Sequence, residues 1–369
     1  MTEPAENYPN PPFPAAMAPL PSERLAMDRL PSVVNSVVTG AIETCVVMSP
    51  GRGQAGAMVK AMSPDATVIQ WYVDSFRAAQ STAIVAQGDI KIDVVCSSDL
   101  PEIAVDLAVL PVLKNGEAEM NRDLLQQAYQ RLRVGGHLIA AVNAPRDKWL
   151  LTQMQSMFSK VHCHSDQDGW AYVGKKQGEL KKVRSFDAEI EFLVDGRVMK
   201  TFSRPSVFSH RSIDTAARVM IREVAIPSGA NVLELGCGNG AVAMAAAVRS
   251  VTGHAYAVDC NARAIECVTR AMDANEIRNM TPILNHDGVL PDVPPCDIAL
   301  LNPPYYGDFA IAAHFIRTAS AKLKPGGDVW VVTKQTDKYE NQSWPGLVWH
   351  SVIQAQGYDL INYRKPVAS

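Results

Sequence analysis

Two halves of this chain carry the same landmarks in the same order, and that repetition restricts the folds open to it. Gly51-Arg52-Gly53-Gln54-Ala55 lies 185 residues before Gly236-Cys237-Gly238-Asn239-Gly240, and Asp74 lies the same 185 before Asp259. Asp106 precedes Asp297 by 191, and Gly135-Gly136 precedes Gly326-Gly327 by 191. Four landmarks at two nearly equal offsets predict a duplicated domain. The 369 residues, 47% of them hydrophobic, suffice for two domains of about 150 residues, each with its own core.

The grammar around the landmarks is α/β. Short β-branched runs at 45–48, 66–73, 106–112 and 137–142 alternate with helical stretches in the first half. The second half reads as helix 213–225, strand NVLEL, helix 241–250, strand HAYAVD, helix 262–274, strands TPILN and DIALLN, helix 309–323, strand DVWVVT and a last pair near 351–365. Strands alternating with helices imply βαβ units and a doubly wound, mostly parallel sheet. Residues 1–22 carry seven prolines, which remove backbone donors, and read as a disordered tail. A first domain is expected over 23–173, a basic linker and a hairpin around Asp195-Gly196 over 174–206, and a second domain over 207–369.

Charge excludes a basic nucleic-acid module. There are 18 basic and 19 acidic residues through Arg184 and 17 and 19 beyond it, a formal net charge of -3. Any contact with nucleic acid must rest on a local patch. The run 174–184, GKKQGELKKVR, reads either as a solvated linker or as a phosphate-contacting strip formed by Lys175, Lys176, Lys181, Lys182 and Arg184. Cys45, Cys96, Cys163, Cys237, Cys260, Cys267 and Cys296 form no C-x-x-C pair, the pattern of reduced thiols in a cytoplasmic protein without structural metal. The N-terminus lacks the layout of a secretory signal, and the small apolar run 241–248 is far shorter than the roughly 20 residues of a membrane span.

Chemistry concentrates in the second half. In VLELGCGNG, 232–240, a strand runs into Gly236, Gly238 and Gly240, where the chain must turn tightly and let a ligand approach the backbone. Asp259, at the end of the next strand, suits a ribose diol. A dinucleotide site would ask for G-x-G-x-x-G and a free helix N-terminus for pyrophosphate. Here the spacing is G-x-G-x-G beside acidic Glu234, which repels pyrophosphate and suits a sulfonium and an amino group, so S-adenosylmethionine fits better than NAD. Asp287 is read either as a partner of the adenine amino group or as a turn residue before Gly288. Asn302-Pro303-Pro304-Tyr305 ends the strand DIALL at the sheet's carboxyl edge. The Asn302 amide oxygen and the Pro303 carbonyl can accept both hydrogens of an exocyclic amine, leaving its lone pair aimed at a methyl carbon. The prolines preset that geometry, and Tyr305 offers a ring for stacking. Transfer to an amine requires no strong base, because the proton can leave after attack.

Val207-Phe208-Ser209, Ile213-Asp214, LELGCGNG, Asp259, Asp287, Asn302-Pro303-Pro304-Tyr305 and LKPGGDVWVV together resemble the bacterial small-domain class I methyltransferases, in a pattern similar to the ribosomal RNA guanine-N2 methyltransferases. The resemblance implies two tandem Rossmann-like class I methyltransferase domains, the N-terminal one degenerate. It also implies that Phe208, Ser209 and Asp214 help build the cofactor pocket, that Glu234, Gly236, Gly238, Gly240, Asp259 and Asp287 hold S-adenosylmethionine, and that Asn302 to Tyr305 present the guanine N2 amine. By the 191 offset, Pro111 stands in the place of Asn302 in the first half, while Asp74 is retained. After the two prolines this chain has Tyr305-Tyr306 where the family commonly has an aromatic and a histidine; Tyr306 joins the expected RNA-contacting residues.

The expected partner is ribosomal RNA or a ribosomal subunit, bound by a monomer with no membrane or metal partner. Two rival readings are a protein glutamine N-methyltransferase, whose family also carries N-P-P-Y but usually behind a helical N-terminal domain, and a non-catalytic RNA-binding or ribosome-assembly factor.

Overall fold

The structure, a computed structural model, describes residues 18–36, 42–88, 90–306 and 309–367. The chain divides into two compact units between Phe186 and Asp187.

The first unit holds helices α1 (Pro21–Met27), α2 (Leu30–Ser36), α3 (Gln54–Met62), α4 (Ser75–Val85), α5 (Ala118–Arg131) and α6 (Trp149–Met157). Its strands are β1 (Thr44–Val47), β2 (Thr67–Tyr72), β3 (Asp93–Cys96), β4 (Val105–Val112), β5 (Leu132–Val142), β6 (Val161–Ser165) and β7 (Trp170–Lys175). They form one sheet in the order β3-β2-β1-β4-β5-β7-β6, parallel except for β7, which runs antiparallel to β5 and β6. Both faces of the central strands are covered, so β4 reads as a nearly continuous apolar run.

The second unit opens with a hairpin, β8 (Ala188–Val194) and β9 (Arg197–Ser203), whose turn residues Asp195 and Gly196 both have positive φ, as a two-residue turn between twisted strands requires. Then come α7 (Thr215–Glu223), β10 (Asn231–Leu235), α8 (Ala241–Arg249), β11 (His254–Asp259), α9 (Ala262–Asn275), β12 (Met280–Leu284), β13 (Cys296–Leu301), α10 (Ala310–Lys322), β14 (Leu323–Thr333), α11 (Asp337–Glu340), β15 (Val348–Ala355) and β16 (Tyr358–Arg364). The sheet order β12-β11-β10-β13-β14-β16-β15 repeats that of the first unit. Helix α8 is almost all alanine and valine and is buried from Ala241 to Ala247; small side chains let its backbone sit close to the sheet.

Equivalent residues do equivalent work. Asp106 Oδ2 accepts the Thr44 N–H at 2.9 Å, and Asp297 Oδ2 accepts the Asn231 N–H at 2.8 Å, each stitching the start of the first parallel strand to its neighbour. Arg133 and Lys324, also 191 apart, neutralise these two carboxylates. Toward the N-terminal side of each sheet the structural offset is 187: Thr44 pairs with Thr67 as Asn231 pairs with His254.

That offset corrects two landmarks: the glycine that caps the first helix, Gly53, corresponds to Gly240 and not to Gly238. Asp74 corresponds to Asn261, not Asp259, and both are helix caps: Asp74 Oδ1 accepts the Arg77 N–H, and Asn261 Oδ1 accepts the Arg263 N–H. The residue in the place of Asp259 is Tyr72, the last residue of β2, so the first half does not retain the acidic strand end.

The expected tail and basic strip are corrected as well. Residues 1–17 of the tail lie outside the described residues, but Pro21 opens α1, because proline at the first helical position gives up no bond, and the helix buries Ser22, Glu23, Leu25 and Ala26. Lys176 is only 3% exposed; its ammonium lies 5.3 Å over the Tyr129 ring and 3.2 Å from Glu179 Oε1. It is a structural cation and leaves the strip, while Lys175, Lys181, Lys182 and Arg184 are exposed.

Candidate cofactor and substrate site

The strand order of the second sheet reverses between β10 and β13, and a doubly wound sheet opens its ligand crevice beyond the carboxyl ends of the strands at such a point. The glycine turn leaves β10 there and Asn302 leaves β13. Gly236, Gly238 and Gly240 all have positive φ, at 75°, 53° and 77°. Gly240 caps α8, and a Cβ on it would stand 2.7 Å from Val268 Cγ2, so the turn is closed to side chains on that side as well.

Most amides of this turn are already used. Gly236 and Cys237 N–H both donate to the Val258 carbonyl, Gly240 N–H to the Cys237 carbonyl, and Gly238 N–H to Asp259 Oδ2 at 2.8 Å. In the first turn of α8 the Ala243 N–H donates to Glu234 Oε2 at 2.7 Å. A turn and helix N-terminus that spend these amides internally offer a poorer cradle for a pyrophosphate, whereas a phosphate-free nucleoside loses nothing there. The expectation from Glu234 rested on charge repulsion alone. Burial in fact pushes this carboxyl well above the usual range, with the nearby Asp259 charge adding to the shift, so its occupation of the helix amide is the stronger reason.

Asp259 ends β11; Oδ2 holds the turn through Gly238 and Oδ1 accepts the Asn261 N–H at 2.9 Å.

Across the cleft, Asp214 Oδ2 accepts the Ala217 N–H at 3.2 Å, capping α7, and also the Asn302 Nδ2–H at 3.0 Å. A carboxylate can only accept, so the amide nitrogen of Asn302 must face it, and the amide oxygen is left for a substrate. Pro303, buried, and Pro304, half-buried, continue from Asn302. Tyr305 is 51% exposed, with Oη accepting the Lys334 N–H at 3.1 Å; Tyr306 is 73% exposed and Phe208 65%.

The structure gathers seven of the expected residues, Phe208, Ser209, Asp214, Glu234, Gly236, Gly238 and Asn302, around one cleft. It adds Ala217, Cys237, Asn239, Ala241 and Val242, which sequence reasoning missed. Asn239 had a visible signal as the polar residue inside the glycine turn: its Nδ2–H donates to the Ser212 carbonyl and its own carbonyl accepts from Thr201, tying the turn to β9. The Cys237 thiol is buried, and burial pushes its pKa far up. Gly240, Asp259, Pro303, Pro304, Tyr305 and Tyr306 adjoin the cleft lining in sequence or by hydrogen bond without belonging to it. Asp287 is not brought into the cleft: Oδ1 accepts from Asn285 Nδ2 and from the Val289 N–H, both at 2.9 Å, which is its turn reading. These two bonds hold its carboxyl below the usual range.

Among the described residues no group of three or more His, Cys, Asp or Glu could hold a metal, and no helix is long and apolar enough to cross a membrane.

Residues 198–356 match the family model described as methyltransferase small domain. The ribosomal RNA small subunit methyltransferase C of Pseudomonas entomophila is 22% identical over 274 residues, 72% of this chain and 80% of that protein. The protein of the same name from Shigella flexneri serotype 5b is 28% identical over 188 residues, 49% of this chain and 53% of its own length. The ribosomal RNA large subunit methyltransferase G of Shewanella amazonensis is 30% identical over 141 residues, 36% of this chain and 37% of that protein. Among solved structures, the T. thermophilus 16S rRNA N2 G1207 methyltransferase (RsmC), in complex with AdoMet and guanosine, covers 94% of this chain and 92% of its own at a TM-score of 0.74 and 18% identity, a likeness of fold across both units. The segment 198–356 is thus similar to the methyltransferase small domain, and the two units together share the fold of that solved methyltransferase.

Proposed function

We propose that the protein transfers a methyl group from S-adenosylmethionine to the exocyclic N2 amine of a guanine in ribosomal RNA. The observation that carries this reading is the orientation of Asn302 by Asp214 beside a cleft whose glycine turn bonds most of its own amides. When bound, S-adenosylmethionine supplies an electrophilic methyl carbon on a sulfonium. Glu234, Gly236 and Gly238 would border it and Asp259 would accept from its ribose, with Phe208, Ser209 and Asp214 completing the pocket.

Asn302 and the Pro303 carbonyl accept the two N–H groups of the amine, which turns the nitrogen lone pair out of conjugation with the base and toward the methyl carbon. Orientation and proximity carry the rate. No side chain in the cleft must remove a proton before attack; the methylated amine releases it to water. Tyr305 and Tyr306 offer ring faces on which the base stacks. The curated relatives that the chain matches act, by their names, on ribosomal RNA of the small or large subunit, and this supports RNA over protein as the acceptor. The α/β architecture of the first unit also disfavours the glutamine-methylating reading, for which a helical N-terminal domain is expected. Asp287 as an adenine partner is kept as part of this proposal through its second carboxylate oxygen.

The test is to incubate the purified protein with methyl-labelled S-adenosylmethionine and ribosomal RNA or subunits, then separate the nucleosides. Label in N2-methylguanosine is the expected result; label in protein or none at all would replace the reading.

A further inference from the structure

A cavity of about 400 Å³ opens in the N-terminal unit, outside the site described above. Strand pairing explains its lining. His137 on β5 lies opposite Lys175 on β7, and Val173, two residues before Lys175, lies opposite His162 on the edge strand β6. Residues directly opposite one another, and residues two apart on a strand, point to one face of a sheet. His137, His162, His164 and Lys175 therefore share one face, with Val173 as an apolar floor, while Ser159 and Lys160 enter where β6 begins.

No carboxylate is among the residues lining this cavity. His137 Nδ1 is buried and makes no hydrogen bond. Burial first, then Lys175 and His162, hold the His137 ring below its usual range; burial, Arg29 and His162 do the same for His164. Two ammonium groups, Lys160 and Lys175, and three imidazoles thus line one space in which no carboxylate takes part, an arrangement that an anion can join by pairing with the lysines and accepting from ring N–H groups. The space exceeds a single phosphate and leaves room for the adjoining sugar.

We propose that this cavity receives a backbone phosphate of the RNA substrate, so that the unit without a cofactor site holds the nucleic acid. The inference rests on RNA as the acceptor. It gives the N-terminal unit a binding role that does not depend on its degenerate glycine turn, and it draws Lys175 out of the linker strip into a built site.

The test pairs the double variant Lys160→Ala/Lys175→Ala with a ribosomal RNA fragment and with inorganic phosphate. Both lysines are exposed, so an unchanged melting temperature is the folding control. The slope of log affinity for the RNA against log salt is expected to fall by about 0.7–0.9 for each phosphate contact removed. Inorganic phosphate is expected to shift the ring NMR signals of His137 and His162 in the native protein and to leave them in place in the variant. An unchanged salt slope, or rings that ignore phosphate, would overturn the proposal. Phosphate-responsive rings in a protein that binds no RNA would overturn its RNA assignment. Failure of the methylation reading shows separately, as native protein that binds RNA and forms no N2-methylguanosine.

Discussion

Asp214 and Asn302, 88 residues apart, meet through one hydrogen bond: the Asn302 Nδ2–H donates at 3.0 Å to the Asp214 oxygen that also accepts the Ala217 N–H and caps α7. One carboxylate thereby fixes both a helix start and the direction of the amide that faces the substrate. Replacing Asn302 by Ala removes the acceptor for the amine without touching the glycine turn. The expected result is a fall in kcat of about 10²–10³-fold, the range seen when one oriented polar group is lost from an active site, with S-adenosylmethionine affinity nearly unchanged by calorimetry. Equal loss of both would show that Asn302 belongs to the cofactor pocket instead.

Tyr305 presents half of its surface while its hydroxyl is tied to the Lys334 N–H. Stacking needs the ring and not the hydroxyl, so Tyr305→Phe is expected to stay near native activity. Tyr305→Ala is expected to raise KM for RNA by the equivalent of about 1–3 kcal/mol, the cost of one lost base stack. A Phe variant as impaired as the Ala variant would move the role from stacking to the hydroxyl.

How much of this was legible in the sequence depended on the range of the interaction. The glycine turn, Asp259 and Asn302 were readable because each sits at a fixed offset from an apolar strand. The partnership of Asp214 with Asn302 joins two segments that no periodicity links. Strand β6 escaped notice because His162, Cys163, His164 and Ser165 are all exposed and carry no apolar alternation. Helix α1 was hidden among prolines that normally argue against helix, one of which sits at the single position where it is harmless. Asp74 misled because a helix cap and a ribose acid are the same residue type two positions apart. Lys176 misled because a charge run does not reveal which of its members turns inward.

Buried carboxyls make stability fall with rising pH. Glu23 in the first unit and Glu234 in the second are both held above the ordinary value of 4.5, chiefly by burial. A raised native pKa favours the protonated form in the fold. Its stabilising contribution is therefore complete below the unfolded-state value and is lost as pH rises through the native one. Glu23→Gln and Glu234→Gln should each flatten the decline in urea midpoint as pH rises above the ordinary carboxyl value of 4.5. Variants that decline as steeply as the native protein would assign the effect to other groups. Glu234→Gln should also weaken cofactor binding, which Glu23→Gln should not.

Gly240 tests the turn itself. With φ at 77° and Val268 Cγ2 only 2.7 Å from where a Cβ would stand, Gly240→Ala combines backbone strain with overpacking. A loss of about 1–3 kcal/mol is expected from either cause, together with loss of cofactor binding as the turn shifts. Chemical denaturation followed by fluorescence, in parallel with calorimetric titration of S-adenosylmethionine, measures both; an alanine variant with native stability would mean that the turn is more plastic than these contacts allow.

The first glycine turn is filled by the chain's own side chains, and this predicts how many cofactors one chain binds. Glu23 Oε1 accepts the Ala55 N–H at 3.0 Å, Oε2 accepts the Ser49 hydroxyl at 2.6 Å, and a Cβ on Gly51 would stand 2.5 Å from that oxygen. Tyr72, in the place of Asp259, donates to the Gly51 carbonyl at 3.3 Å, and Pro111 takes the place of Asn302. Glu23→Ala opens the turn and leaves the buried Ala55 N–H without its acceptor, at a cost of about 1–3 kcal/mol. It restores neither the acid at the strand end nor the amide beyond β4. One S-adenosylmethionine per chain is therefore expected by calorimetry for the native protein and for Glu23→Ala alike. A second binding event in the variant would show that Glu23 alone keeps the first unit from holding the cofactor.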